Sequence, residues 1–223
     1  MGRMRITMKA GFANNSAAMG IGTIIIFIAI VLVAGIAASV LIQTSISLEM
    51  QTLRTGSEIT ESIGGGLAVI GVEGYNSSGR ISLMAIEIKL RSGSPDIDLS
   101  SVMIELSNSR SKHVLTYDKT KFTYAEDTQG DLFNAEFYPT GSKTTFGVIV
   151  LQDADGSCTS LAPTIGYGDH VILCISTEDI FSDTSGLLPR IYVEGRVITE
   201  VGGSGNIVFT TPPAYIGSVI DLQ

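Results

Sequence analysis

Charge is missing over a long stretch of this chain. Between Lys9 and Glu49 there is no Asp, Glu, Lys or Arg, and charged residues make up only 16% of the whole, where soluble domains carry about a quarter. Basic residues are the scarcer sign, 14 Lys and Arg against 22 Asp and Glu, for a net charge of −8. Arg3, Arg5 and Lys9 sit in the first seventeen residues, so the remainder is more acidic still. That balance excludes a nucleic-acid binder, because affinity for phosphates comes from Lys and Arg. It suits a hydrated surface that repels like neighbours.

Cysteine and histidine are also scarce. Two cysteines, Cys158 and Cys174, are too few for a disulfide scaffold, and no histidine lies at zinc-ligand spacing from them. On neighbouring strands outside a cell they could form a bridge worth about 3 kcal/mol; two buried free thiols fit equally well. His113 and His170 are the only histidines, and neither sits in a catalytic pattern. No G-x-S-x-G elbow occurs between a strand and a helix. Gly74 to Arg80 has the outline of a phosphate loop, but it has Arg80 and Ile81 where Lys and Ser or Thr are needed. No active site and no required cofactor follow from the residues, so the chain reads as a non-enzyme.

What is present begins with the uncharged stretch. Gly20 to Ile42 reads GIGTIIIFIAIVLVAGIAASVLI, with Thr23 and Ser39 its only polar residues. As a helix it covers roughly 35 Å, enough to cross a bilayer core. A core helix of a soluble domain would keep a polar face; this one has none. By the positive-inside rule the basic residues before it stay cytoplasmic and everything after residue 42 goes outside. The run is too long for the apolar core of an ordinary secretory leader, and the candidate cuts precede it. That order predicts a leader of prepilin type, 1–17, followed by a helix that survives cleavage, 18–63. From Ile42 the pattern becomes one-sided, with Ile46, Met50 and Leu53 on one stripe. Gly64-Gly65-Gly66 stops it.

Beyond residue 64 the period switches to two. Strands are predicted at 67–74, 80–91, 99–107, 113–118, 132–138, 145–151, 170–176, 190–200 and 206–210, separated by turn sequences such as Asn76-Ser77-Ser78-Gly79. The reading is an α+β chain: a long N-terminal hydrophobic helix, then an antiparallel β-sandwich or barrel of immunoglobulin-like kind over 64–223. Asp153, Asp155 and Asp169 offer an oxygen cage for Ca²⁺ or Mg²⁺, though an EF-hand's terminal Glu is missing. Like-charge repulsion there is expected to raise their pKa values. Asn76-Ser77-Ser78 is an N-glycosylation sequon in a polar turn, and Asn14-Asn15-Ser16 is a second match beside the leader.

An all-round apolar helix joined to an acidic outer domain either stays in lipid or is buried by copies of itself. Gly20, Gly22, Ala34, Gly35, Ala38 and Ser39 favour burial by copies, because small residues let helices approach closely. Copies related by a screw operation give an open helical polymer.

Gly20-Ile21-Gly22-Thr23, continuing to Ala37-Ala38-Ser39-Val40-Leu41-Ile42, resembles the N-terminal segment of the archaellins, the filament subunits of archaeal flagella. The resemblance continues through Thr55 to Glu61, then Gly147 to Gln152 with Asp153, Asp155 and Ser157. Gly168-Asp169 and Phe209-Thr210-Thr211-Pro212 complete it, and 92–143 carry little of it. It implies a homopolymer, or one mixed with related archaellins, with packed helices inside and β domains outside, extracellular and used for swimming. It also implies a precursor held in the membrane, a prepilin-peptidase-like enzyme, a membrane motor and platform, glycans on the outer domain in some members and a metal ion there in others. Family leaders place a basic residue and Gly before the mature start. Register with the Gly-Ile-Gly puts the cut between Ala17 and Ala18, whereas the basic-plus-Gly chemistry sits at Lys9-Ala10-Gly11, before Phe12. Both cuts remain open. An adhesive pilin, or a tethered metal- or ligand-binding β domain, are the rival readings.

Overall fold

The computed structural model describes residues 13–223, with side chains from Met19 onward apart from 61–63. The candidate cut at Gly11 and Phe12 lies outside the described residues. The chain divides into two compact units between Gly56 and Ser57.

The first element is a helix, α1, Ala13–Gly64, 52 residues long without a break; Ala17 and Ala18 fall within it. Ile24, Ile25, Ile26 and Phe27 point in four directions around the axis, and each is 60–67% exposed. The stripe of Ile46, Met50 and Leu53 is exposed as well. Three of its threonine hydroxyls bond back to the helix. Thr23 donates to Gly20 O at 2.9 Å, Thr44 to Leu41 O at 2.9 Å and Thr52 to Leu48 O at 2.8 Å. Such back-bonding lets these threonines enter an apolar environment with their hydroxyls paired.

The strands that follow are β1 (Leu67–Ser77), β2 (Arg80–Leu90), β3 (Ile97–Asp98), β4 (Met103–Ser107), β5 (Lys112–Tyr124), β6 (Thr145–Gln152), β7 (Thr164–Ile165) and β8 (His170–Ser176). A one-turn helix, α2 (Thr177–Ile180), precedes β9 (Tyr192–Ile198), β10 (Gly205–Thr210) and β11 (Val219–Asp221). Nine strands form one sheet in the order β10-β9-β4-β5-β6-β8-β2-β1-β11, and β3 pairs with β7 as a separate ribbon. All pairs are antiparallel except β5 with β6, which is parallel. The sheet curls on itself: Gly66 and Gly203 form a parallel bridge across its ends, and Gly203 N–H donates to Gly65 O at 3.0 Å. Gly66 has φ +108°, and any side chain there would strike the Gly203 backbone. The long helix and antiparallel-rich β domain are thus as expected, and of the two forms expected for that domain, sandwich or barrel, the single curled sheet is nearer the barrel.

The main core lies inside the curl. Met84, Ile86 and Ile88 of β2 meet Val171, Leu173 and Ile175 of β8, with Phe146 and Val148 of β6, Val197 of β9 and Ile207 of β10. Each such side chain contributes about 1.5–3 kcal/mol on leaving water. The middle strands are buried on their outer face too. Leu83, Ala85, Ile149, Ile172 and Cys174 lie under Phe133 and Tyr138.

That cover comes from residues 131–142, part of the crossover that makes β5 and β6 parallel, and it corrects the strand predicted at 132–138. Asp131 accepts Phe133 N–H at 3.0 Å and Asn134 accepts Glu136 N–H at 3.1 Å. Phe137 N–H returns to Asn134 O at 3.1 Å. Asp and Asn side chains here take the backbone donors that a ladder would have used. Gly147 of β6 makes room for the cover, since a Cβ there would lie 2.8 Å from Phe137 O and 2.9 Å from Lys121 O.

Candidate functional site

Two features bear on function, the apolar helix and a cluster of carboxylates. On the helix, Gly20, Gly22 and Gly35 have nothing within 4 Å of where a Cβ would sit, and Ala34, Ala38 and Ser39 are exposed. Among the described residues nothing requires these small side chains. A helix that needed only to be apolar could carry Leu or Ile at each of them.

The carboxylates of Asp153, Asp155 and Asp169 each present an oxygen within 4.8 Å of the others. Asp153 and Asp155 follow β6, and Asp169 precedes β8. Antiparallel pairing of those strands, Gln152 opposite His170, brings the loops together. Asp169 is only 2% exposed; its Oδ1 accepts Ala154 N–H at 2.9 Å and its Oδ2 accepts Gly166 N–H at 2.6 Å. Asp153 accepts Gly156 N–H at 2.8 Å and Cys158 N–H at 3.2 Å. Asp155 accepts Ser157 N–H at 3.0 Å. Hydrogen bonds from the Ser157 hydroxyl and backbone hold the Asp155 carboxyl below its ordinary range. This reverses, for Asp155, the expected rise from like-charge repulsion. Local donors outweigh the neighbouring charges at this exposed residue.

A fourth acid belongs to the same place. A Cβ on Gly166 would lie 3.4 Å from Asp169 Oδ2, 3.5 Å from Asp96 Oδ1 and 3.7 Å from Asp155 Oδ2. Gly166 therefore leaves a clear space that three carboxylates face. Asp96 reaches it because Ile97 of β3 pairs with Ile165 of β7. In sequence Asp96 looks like part of a Gly-Ser-Pro-Asp turn, and no local signal ties it to residue 166.

The cysteines do not form a bridge; both are free and buried. Cys158 packs in the core inside the curl, whereas Cys174 points to the outer face under Phe133 and Tyr138. Alternation along β8 puts Cys174 on the side away from Cys158. Burial, then the charges of Asp153, Asp169 and Asp155, push the Cys158 thiol up to about 12, and burial raises Cys174 too. Neither suits nucleophilic work, which needs the thiolate. His113 packs edge-on against Phe181, ring centroids 5.7 Å apart, and His170 Nδ1 lies 3.4 Å from Glu87 Oε1. Both histidines thus have structural partners.

Asn76 lies at the end of β1, half-buried, before the two-residue turn Ser78 (φ 56°) and Gly79 (φ 79°). Positive φ at both positions marks the tight hairpin turn that matches strand twist. Asn76 Oδ1 accepts Gly79 N–H at 3.1 Å, and Nδ2 donates to Gly217 O at 3.0 Å. The sequon's serines are exposed, but its asparagine is engaged at both ends of the amide.

Residues 17–209 match the family of archaeal-type flagellins. Flagellin B2 of Methanocaldococcus jannaschii is 44% identical over 210 residues, 92% of this chain and 94% of that protein. Flagellin B1 of Methanococcus voltae is 39% identical over 220 residues, 98% of this chain and 100% of that protein. The crystal structure of archaeal flagellin FlaB1 from Methanocaldococcus jannaschii matches with a TM-score of 0.63 at 34% identity, over 71% of this chain and 97% of that one. The archaeal flagellum of Methanospirillum hungatei strain JF1 matches with a TM-score of 0.59 at 14% identity, over 90% of this chain and 98% of that one, a likeness of fold.

Proposed function

This chain belongs to the archaeal-type flagellin family, and from that membership we infer how its two parts divide the work of building a filament. The chain is a structural subunit of the extracellular archaellum filament, assembled from copies of itself or related subunits, and not an enzyme. The observation that carries this is the helix, exposed and apolar all round over Gly20 to Ile42, in a chain similar to flagellins through both helix and sheet. An adhesive pilin or a tethered binding domain is not favoured, because the full-length relatives are flagellins.

The helix is the polymerising element. Before assembly it sits in the membrane, where its length and composition suffice for a span; afterwards neighbouring helices cover the same surface. Gly20, Gly22, Ala34, Gly35, Ala38 and Ser39 are the points of closest approach, which is why they are small although the chain's own fold leaves room for more. A prepilin-peptidase-like enzyme removes the leader after Ala17 or Gly11, and a membrane platform and motor receive the mature chain. The β domain, 64–223, faces outward. Asn76 carries glycan there, and Asp153, Asp155 and Asp169 hold Ca²⁺ or Mg²⁺. Converging carboxylates and the space left by Gly166 support the cation reading; such an ion would neutralise their mutual repulsion and tie the two loops together.

Electron microscopy of surface filaments, with mass spectrometry of their protein, tests the central reading. Filaments should contain this chain with its apolar helix retained. Finding it only in membranes, while filaments are built without it, overturns the proposal.

A further inference from the structure

The residues after β10 form a strap that closes the edge of β1, and that strap is clasped by the sequon asparagine. Ser218 O accepts Asn76 N–H at 2.7 Å, and β11 then pairs with β1, Tyr75 opposite Val219, Gly74 opposite Ile220 and Glu73 opposite Asp221. Gln223 O accepts Val72 N–H at 3.0 Å, and Leu222 N–H donates to Val72 O at 2.8 Å. At its far end the Gln223 side chain crosses to the other end of the sheet, accepting Val208 N–H at 2.8 Å. Ile220 is buried and Leu222 packs on the core. The same strap takes the Asn76 side chain, whose Nδ2 donates to Gly217 O.

We propose that docking of the 217–223 strap controls when Asn76 can be glycosylated: the asparagine is an acceptor while the strap is open and is withdrawn once it closes. This rests on the reading of Asn76 as a glycan site. The transfer forms a bond between Asn76 Nδ2 and the anomeric carbon of a sugar carried on a polyprenyl phosphate. The bond from that carbon to the phosphate oxygen breaks, its electron pair leaving with the lipid phosphate, and Nδ2 gives up one proton.

An amide nitrogen is a poor nucleophile because its lone pair is delocalised into the carbonyl, so the amide must be free to turn. In the closed strap it is pinned at both ends, Oδ1 by Gly79 and Nδ2 by Gly217. The strap also holds the Asn76 backbone N–H through Ser218 O, on the edge opposite the pairing of Asn76 with Ile81 of β2, which is kept in either state. Lifting 217–223 frees Nδ2 and the backbone N–H together, without disturbing the hairpin turn. The strap has the makings of a local opening unit, since β11 is three residues long and the approach to it carries Ile216 at 89% exposure.

A cross-strand lock tests this on the full chain. Glu73 and Asp221 are paired and exposed, at the separation that suits a disulfide. The native cysteines are buried. Purified E73C/D221C in detergent, oxidised or reduced, is given a membrane extract containing an oligosaccharyl transferase and a polyprenyl-phosphate-linked disaccharide. The urea-unfolded reduced chain, diluted into the same extract, is the reference. Glycopeptide mapping should show Asn76 occupied fastest in the unfolded chain. Its rate in the oxidised chain should be lower than in the reduced folded chain by about tenfold or more, as expected of a reaction gated by local opening. Equal rates in the oxidised and reduced folded chains overturn the gating and leave Asn76 as a site. No sugar on Asn76 even in the unfolded chain overturns the site and the gating together.

Discussion

Gly35→Leu separates what the helix needs for itself from what it needs of its neighbours. No atom lies within 4 Å of a Cβ at residue 35, so leucine meets no obstacle inside the chain. Leucine is also the better helix former, by somewhat less than the ~1 kcal/mol that separates glycine from alanine. Taken alone, the variant should be at least as helical as the parent, and far-UV circular dichroism in detergent checks this. On the proposed packing a neighbouring helix passes close to the Gly35 backbone, and forcing extra carbons into such a contact costs about 1–3 kcal/mol. At 1.4 kcal/mol per tenfold, the critical concentration for assembly rises about fivefold to more than a hundredfold. Filament counts by electron microscopy and sedimentation over a concentration series read this directly, with Gly35→Ala expected in between. A leucine variant that assembles at the parent's critical concentration would show that residue 35 faces no neighbouring helix.

Four further outcomes are expected. N-terminal sequencing of filament protein should begin at Ala18 or Phe12; Met1, or a start beyond residue 42, would contradict a prepilin-type leader. Excess Ca²⁺ or Mg²⁺ at a hundredfold over its Kd should stabilise the chain by about 2.7 kcal/mol and raise its melting temperature, an effect lost with chelator and in Asp155→Asn. Equal melting with ion and with chelator would leave these acids as turn residues. The Tyr138 hydroxyl is buried with only the Cys174 thiol, a weak partner, beside it, so Tyr138→Phe should leave the urea midpoint unchanged or raise it, and not lower it. The folded state raises Cys158 from 9.0 and Tyr117 from 10.0, each to about 12, chiefly by burial. Both groups are more easily ionised when unfolded, so the stability is full below pH 9 and falls as pH rises toward 12; a flat denaturation midpoint from pH 8 to 11 would count against that burial.

The helix and the regular strands were legible because each carries its own period. SLMAIEIKL announces β2 through alternation, and the unbroken apolar run announces α1 without reference to any other residue. The strand misread at 132–138 has apolar residues at plausible intervals, but Asp131 and Asn134 divert its backbone donors into turns. Two- and three-residue strands such as β3, β7 and β11 are too short to show a period; pairing partners far along the chain create them. Asp153, Asp155 and Asp169 could be grouped from turn spacing, whereas Asp96 joins them only through the β3–β7 ribbon. The cysteines illustrate the same limit: their separation in sequence says nothing about which face of the sheet each occupies.

The order of strands also sets a schedule. A chain emerging from its N-terminus delivers the apolar helix first and β1 soon after. Yet β1 is completed by β11, β4 by β9, and the curl is shut by a contact between Gly66 and Gly203. Pairings of such long range form slowly, on millisecond-to-second scales, because loop closure must precede any gain from the contacts. A chain lacking β9 to β11 would leave β4 and β1 as open edges, a substrate for proteases and for misassociation. The topology thereby suits a quality check on synthesis: the sheet closes only when its last strands arrive, so a truncated chain keeps open edges that mark it as incomplete.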